Sequence, residues 1–125
     1  MNMLLDTHAL VWALHAPQKL ADPARAAIED GANAVYYSAA SVWELAIKSG
    51  KGLIELDVRF LEAAAEAPFT ELPLRGSHAW AVRSLPPIHS DPFDRILAAQ
   101  ALVESLTLVT RDRFLVEYGI PVLPA

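Results

Sequence analysis

Short apolar runs that stop at a polar residue, separated by stretches with legible helix caps, constrain this chain more than any other feature. Met3-Leu4-Leu5 ends at Asp6, Ala34-Val35-Tyr36-Tyr37 ends at Ser38, and Leu106-Thr107-Leu108-Val109-Thr110 is followed by Arg111. Ile120-Pro121-Val122-Leu123 closes the series. Continuous apolar runs of this length fit strands buried on both faces, as in a parallel sheet. Thr70-Glu71-Leu72-Pro73-Leu74 is a weaker fifth candidate, which Pro73 confines to a sheet edge.

The intervening stretches read as helices. Asp22-Pro23 pairs an N-cap with a proline at the first helical position and opens a helix that stops near Gly31. Ser41-Val42-Trp43-Glu44 has the form of a capping box before Leu45 and Ile47, with Gly50 as the stop. Asp57 opens a helix through Phe60, Leu61 and an alanine run to Pro68, and Ser77 opens one through Trp80 to Leu85. Asp91-Pro92 repeats the cap-plus-proline signal ahead of Ile96 and Leu97, and Asp112 caps a last short helix ending at Gly119. Alternating strands and helices with short loops imply right-handed crossovers. The expectation is one α/β domain over residues 1–125, built as three layers (α/β/α) around a central, mainly parallel sheet of four to five strands.

Composition fits that expectation. At 125 residues the chain can bury roughly two thirds of its unfolded surface. With 54% hydrophobic residues and a net charge of -5, disorder is excluded. The absence of cysteine removes disulfides, cysteine nucleophiles and cysteine-ligated metals. No apolar run reaches eighteen residues, and Asp6 interrupts the first one before a signal peptide is formed. A soluble, cytoplasmic protein with no membrane contact is expected.

In an open parallel sheet, ligands bind beyond the carboxyl ends of the strands. Asp6 ends the first strand, Glu44 follows the second, Asp94 lies in the first turn of the helix leading to the strand that ends at Thr110, and Asp112 follows that strand. Four carboxylates meeting in a dry pocket repel one another unless protonated or bridged by a cation. An all-oxygen set suits Mg²⁺ or Mn²⁺, and such a site can generate a hydroxide for phosphodiester hydrolysis without a protein nucleophile.

Each residue also has a structural reading. Glu44 fits the glutamate of a capping box with Ser41. Asp94 falls near the third helical position, where the helix dipole favours a carboxylate in any case. Asp91 and Asp112 fit N-caps. Asp6 is the hardest to place structurally, because a charged group ending an apolar strand is rarely buried without a partner.

Four blocks, taken together, resemble a known family. Leu4-Leu5-Asp6-Thr7-His8-Ala9-Leu10-Val11-Trp12, Ser38 to Lys48, Asp91-Pro92-Phe93-Asp94-Arg95 and Leu108-Val109-Thr110-Arg111-Asp112 are similar, in order and interval, to the PIN-domain ribonucleases. The likeness runs through essentially the whole chain and is nearest to the VapC-type toxins of bacterial type II toxin–antitoxin pairs. It implies a PIN-like domain acting as a Mg²⁺- or Mn²⁺-dependent endoribonuclease, an antitoxin partner that occludes the active site, and a homodimer. Carried over residue by residue, Asp6, Glu44 and Asp94 match the first three family carboxylates, with Asp94 rather than Asp91 as the third. Asp112 matches the more variable fourth.

The resemblance also implies roles. Asp6 and Asp94 bind the metal directly, Glu44 binds through water or orients the attacking water, and Asp112 completes the shell or positions a second ion. Thr7 and Thr110 are expected as hydrogen-bond partners behind the carboxylates.

The acidic balance runs against nucleic-acid binding at first sight. Setting aside the four site carboxylates, however, leaves 11 acidic residues against 10 basic ones. Lys48, Arg95, Arg111 and Arg113 lie within a few residues of those carboxylates and are candidates to contact RNA phosphates, or else solvated surface groups. His8 and His89 are placed near the pocket, His15 and His78 in structural or surface positions, and no histidine spacing suggests zinc. Trp12, Trp43 and Trp80, beside aliphatics at helical positions, are expected in the core or on a dimer face. Two other readings stand beside the ribonuclease. A phosphohydrolase with Asp6 as covalent nucleophile needs a carboxylate two residues on, where His8 stands. A non-catalytic interaction module on the same fold is the second.

Overall fold

A computed structural model describes residues 1–88 and 90–125, and the side chains of Arg113 and Phe114 lie outside the description. His89 therefore falls outside the described residues. Within them, five strands form one sheet: β1 (Asn2–Leu5), β2 (Ala34–Ser38), β3 (Thr70–Leu72), β4 (Thr107–Thr110) and β5 (Val122–Pro124). Their order is β3-β2-β1-β4-β5 and every neighbouring pair is parallel. In register, Leu4 stands between Tyr36 and Leu108, and Leu5 between Tyr37 and Val109. The strand order reverses direction between β1 and β4, which opens a crevice beyond their carboxyl ends.

Side chains alternate across a strand, so each strand feeds two cores. Met3 and Leu5 of β1, Val35 and Tyr37 of β2 and Val109 of β4 face one side. There they pack against α1 (Thr7–His15), α2 (Asp22–Glu29), α3 (Ala39–Gly50) and α4 (Phe60–Glu66) through Leu10, Ala24, Leu45 and Phe60. Leu4 and Leu108 face the other side, where Leu97, Ala98 and Ala101 of α6 (Pro92–Glu104) cover them. Helix α5 (Gly76–Ala81) packs against α6 on this side. The result is the three-layer α/β/α arrangement with a parallel sheet. No helix of the described residues is long and apolar enough to cross a membrane.

Several helix starts differ from the expected ones, each for a local reason. Asp22 is the first residue of α2 rather than its cap, and its carboxylate pairs with Arg25 at 2.9 Å. Arg75, not Ser77, precedes α5, and the His78 ring accepts the Arg75 backbone N–H at 3.0 Å. Beyond Ala81 the chain tightens into a single 3-10 turn, Val82–Ser84. The segment Arg113–Tyr118 is 3-10 rather than α-helical, and α4 begins at Phe60, three residues after Asp57. The Asp91-Pro92 signal holds: Asp91 caps α6, its Oδ1 accepting the Phe93 N–H at 2.8 Å.

Helix α3 carries the most consequential difference. It starts at Ala39, and its cap is the fully buried Ser38, whose Oγ accepts the Ala40 N–H at 3.0 Å. Strand β2 thus passes into α3 with no loop between them. Ser38→Ala is expected to cost about 1 kcal/mol, the typical value of a lost N-cap. A urea titration of the variant beside the parent measures it.

Candidate active site

The junction of β1 and α1 is a single residue, Asp6. Its backbone N–H continues the sheet by donating to Val109 O at 3.0 Å, and its Oδ1 caps α1 by accepting the Ala9 N–H at 2.7 Å. The next residue, Thr7, points across to α3. Its hydroxyl donates to Glu44 Oε1 at 2.7 Å and lies 3.0 Å from Ser41 Oγ. Ser41 and Glu44 therefore sit one turn apart on the buried face of α3, committed to Thr7 and not to capping the helix. The capping-box reading of Ser41 and Glu44 is corrected accordingly, because the cap lies three residues earlier.

Glu44 is 6% exposed, which makes an uncompensated charge expensive there. Compensation comes from both sides: Thr7 at Oε1, and Lys48 Nζ at 2.6 Å from Oε2. Lys48 lies one turn further along α3, with glutamate N-terminal to lysine, the better orientation for such a pair. The hydrogen bond to Glu44 holds the Lys48 ammonium above the usual lysine range despite partial burial, and the charges of Glu44, Asp91 and Asp94 act in the same direction.

Burial pushes the Asp6 carboxyl above the ordinary carboxylate range. Hydrogen bonds from the Thr110 hydroxyl and the Ala9 N–H pull it back, as does the nearby His8, while the charge of Glu44 adds to the rise. Thr110 is almost fully buried at the end of β4, and its Oγ1 also accepts the Asp112 N–H at 3.0 Å. One hydroxyl thus links the carboxylate that follows β1 to the backbone that follows β4.

One cavity of about 440 Å³ opens beyond the carboxyl ends of β1 and β4. Asp6, Glu44, Asp94 and Asp112 all border it, along with Thr7 and Lys48. Asp91 borders it too, while serving as the cap of α6. The donors are all hard oxygens, the type a divalent ion of the Mg²⁺ class takes, and the burial of Asp6 and Glu44 gives those carboxylates reason to take a cation. In donor chemistry the residues fit such an ion. Among the described residues, no three His, Asp or Glu side chains stand close enough to share one ion as they are placed.

The basic residues divide. Lys48 and Arg111 border the cavity. Arg111 lays its guanidinium over the Trp12 ring at 4.1 Å, donates from Nε to Ala125 O at 3.0 Å, and also bonds the Lys19 carbonyl. Arg95 stands elsewhere. One residue along a helix turns a side chain by about 100°, so its guanidinium leaves Asp94's side and donates to Pro86 O at 2.9 Å and Val82 O at 3.0 Å. The Arg113 side chain lies outside the description.

Trp12 packs against the core as expected and also borders the cavity, with His8 beside it at 5.7 Å. Trp43 and Trp80 are not core residues, being 60% and 69% exposed. His78, by contrast, is fully buried, with Nε2 2.8 Å from Glu104 Oε1, and serves the packing of α5 on α6.

A parallel α/β sheet with a carboxylate-lined crevice at its switch point defines the class, and comparison with known proteins agrees. The family model described as PIN domain matches residues 3–120, and the chain belongs to the PIN domain family. Within that family it is of the VapC type. It is 33% identical over 123 residues to Ribonuclease VapC22 of Mycobacterium tuberculosis (strain ATCC 25618 / H37Rv), covering 96% of this chain and 94% of that one. Among solved structures it is similar to VapBC2 from Rickettsia felis bound to a DNA fragment from their promoter. That match has a TM-score of 0.72, 15% identity and coverage of 98% of both chains, a likeness of fold. It is also similar to FitAcB from Neisseria gonorrhoeae, with a TM-score of 0.63, 25% identity and coverage of 98% and 96%.

Proposed function

We propose that this chain is a Mg²⁺- or Mn²⁺-dependent endoribonuclease and the toxin of a type II toxin–antitoxin pair, working in the cytoplasm. The observation that carries the reading is the meeting of Asp6, Glu44, Asp94 and Asp112 around one cavity at the sheet's switch point. The name of the VapC22 relative supports RNA as the substrate class, and the VapBC2 complex supports an antitoxin partner.

Asp6 and Asp94 are the residues that would hold the ion, with Glu44 meeting it through water and Asp112 completing the shell or positioning a second one. When bound, the ion supplies an activated water and offsets charge on the phosphate under attack. The chain's own groups do the rest. Thr7 fixes the plane of the Glu44 carboxylate, which takes the proton of the attacking water. Thr110 aligns Asp6 with the Asp112 backbone. Lys48 and Arg111, at the cavity wall, receive the backbone phosphates on either side of the scissile bond.

A homodimer is part of the same reading. Trp43, Leu74, Val82, Pro92, Phe93 and Ile96 line an apolar hollow of about 700 Å³, with Trp43 60% exposed. An exposed aromatic ring at an apolar hollow is what an interface between two copies uses.

The test is cleavage of total cellular RNA by the purified protein in Mg²⁺, in Mn²⁺ and in EDTA. Discrete products with either metal and none in EDTA are expected. Equal cleavage in EDTA overturns the metal site, and no products from folded protein under any metal overturns the nuclease.

A further inference from the structure

The Glu44–Lys48 pair lies where a divalent ion is expected, and it is built differently from a surface salt bridge. Glu44 is buried, and each of its two oxygens has a short contact, Thr7 at 2.7 Å and Lys48 at 2.6 Å. The Lys48 side chain is 40% exposed, borders the cavity and extends from the last turn of α3 on a flexible stem. Its ammonium lies in the field of Asp91 and Asp94 as well as Glu44. A monovalent cation of the chain itself thus meets Glu44, one of the carboxylates that a Mg²⁺ or Mn²⁺ ion would meet.

We propose that Lys48 is the built-in counter-ion of the metal-free site, and that loading a divalent ion and releasing Lys48 from Glu44 are a single exchange. The proposal rests on the reading of the cavity as a divalent-ion site. The chain accommodates both sides of the exchange. Thr7 stays on Oε1 throughout, so Glu44 keeps its orientation when Lys48 leaves. The lysine stem swings into water without disturbing packing, because half-exposed lysines keep their charged heads mobile. The released ammonium is then beside the cavity, free to meet a phosphate. Metal affinity is set by the difference between two cations at one carboxylate, and such linkage is reciprocal: what Lys48 gains from Glu44, the ion loses.

The test is a titration of the whole protein with Mn²⁺, followed by the loss of the free-ion electron paramagnetic resonance signal. It is run on the parent, Lys48→Met, Lys48→Arg, Glu44→Gln and the Glu44→Gln/Lys48→Met double variant, with circular dichroism to verify folding. Lys48→Met is expected to bind Mn²⁺ about tenfold more tightly, in the usual range of coupling between sites. Lys48→Arg keeps the charge and is expected to stay within about threefold of the parent. In the Glu44→Gln background the gain from Lys48→Met is expected to shrink below about threefold, because the carboxylate over which the two cations compete is gone.

Unchanged or weaker binding by folded Lys48→Met overturns the proposal, as does an equal gain in the Glu44→Gln background, which reduces Lys48 to one charge among others. If Lys48→Met does not fold, Lys48→Gln takes its place under the same criteria. The failure of the underlying reading has a different signature: neither the parent nor any Lys48 variant takes up Mn²⁺, which overturns both the ion site and the exchange.

Discussion

Replacing Asp6 with asparagine is expected to abolish RNA cleavage and, in EDTA, to make the protein more stable at neutral pH. The two effects have one origin. The Asp6 carboxylate is desolvated at the end of β1, so its charge costs stability while no divalent ion compensates it. Asparagine keeps an oxygen that accepts the Ala9 N–H and an amide that can pair with the Thr110 hydroxyl, and it loses the charge. Cleavage is expected to fall by at least about a hundredfold, more than the loss typical of residues that merely support a metal ligand. Asp94→Asn is expected to fall as far in cleavage.

The pH dependence has a definite sign. A carboxyl whose folded pKa lies above the unfolded value of 3.8 binds its proton more tightly when folded. That contribution to stability is complete below about pH 3.8 and is lost as pH rises through the raised folded value. Metal-free parent should therefore lose stability relative to Asp6→Asn across that interval, and the two should run parallel above it. Urea titrations at several pH values measure this. Retained cleavage by Asp6→Asn sinks the site assignment, and a variant less stable than the parent at pH 7 sinks the electrostatic account.

The largest stability loss is expected from Leu5→Ala, one residue away. Leu5 is fully buried, stands between Tyr37 and Val109 in the sheet, and belongs to the core that α1, α2, α3 and α4 cover. A buried leucine cut to alanine loses transfer free energy and leaves a cavity, together about 3 kcal/mol. That is a large part of the roughly 5–15 kcal/mol that holds a domain folded. The urea midpoint should fall with the slope unchanged. Val58→Ala, at a side chain 99% exposed, is the control and should stay within about 0.5 kcal/mol. The pair of neighbours separates two roles at one strand end: Leu5 holds the fold, while Asp6 is a cost to it.

The strands were legible because their apolar runs are bounded by polar residues and are too short to be helices. The carboxylates were legible because three of them stand at strand–helix or loop–helix junctions, where a charge next to an apolar run is conspicuous. Glu44 was ambiguous because a capping box and a buried carboxylate held from another helix share one spacing from Ser41, and only the position of Thr7 separates them. Arg95 stands away from the cavity although Asp94 borders it, because adjacency in sequence is not adjacency on a helix. The exposure of Trp43 and Trp80 was illegible for a different reason: an apolar residue on a helix gives no sign of whether its neighbour is the same chain or another.

The two outer strands of the sheet have a consequence for handling the protein at high concentration. Strands β3 and β5 are three residues each, with Pro73 directly after β3 and Pro121 and Pro124 at and within β5. Unpaired backbone at a sheet margin is a template for runaway strand addition, and short margins interrupted by proline are poor templates. Concentrated solutions should accordingly resist fibril growth through the sheet, so that light scattering on storage would report association through the helical faces instead.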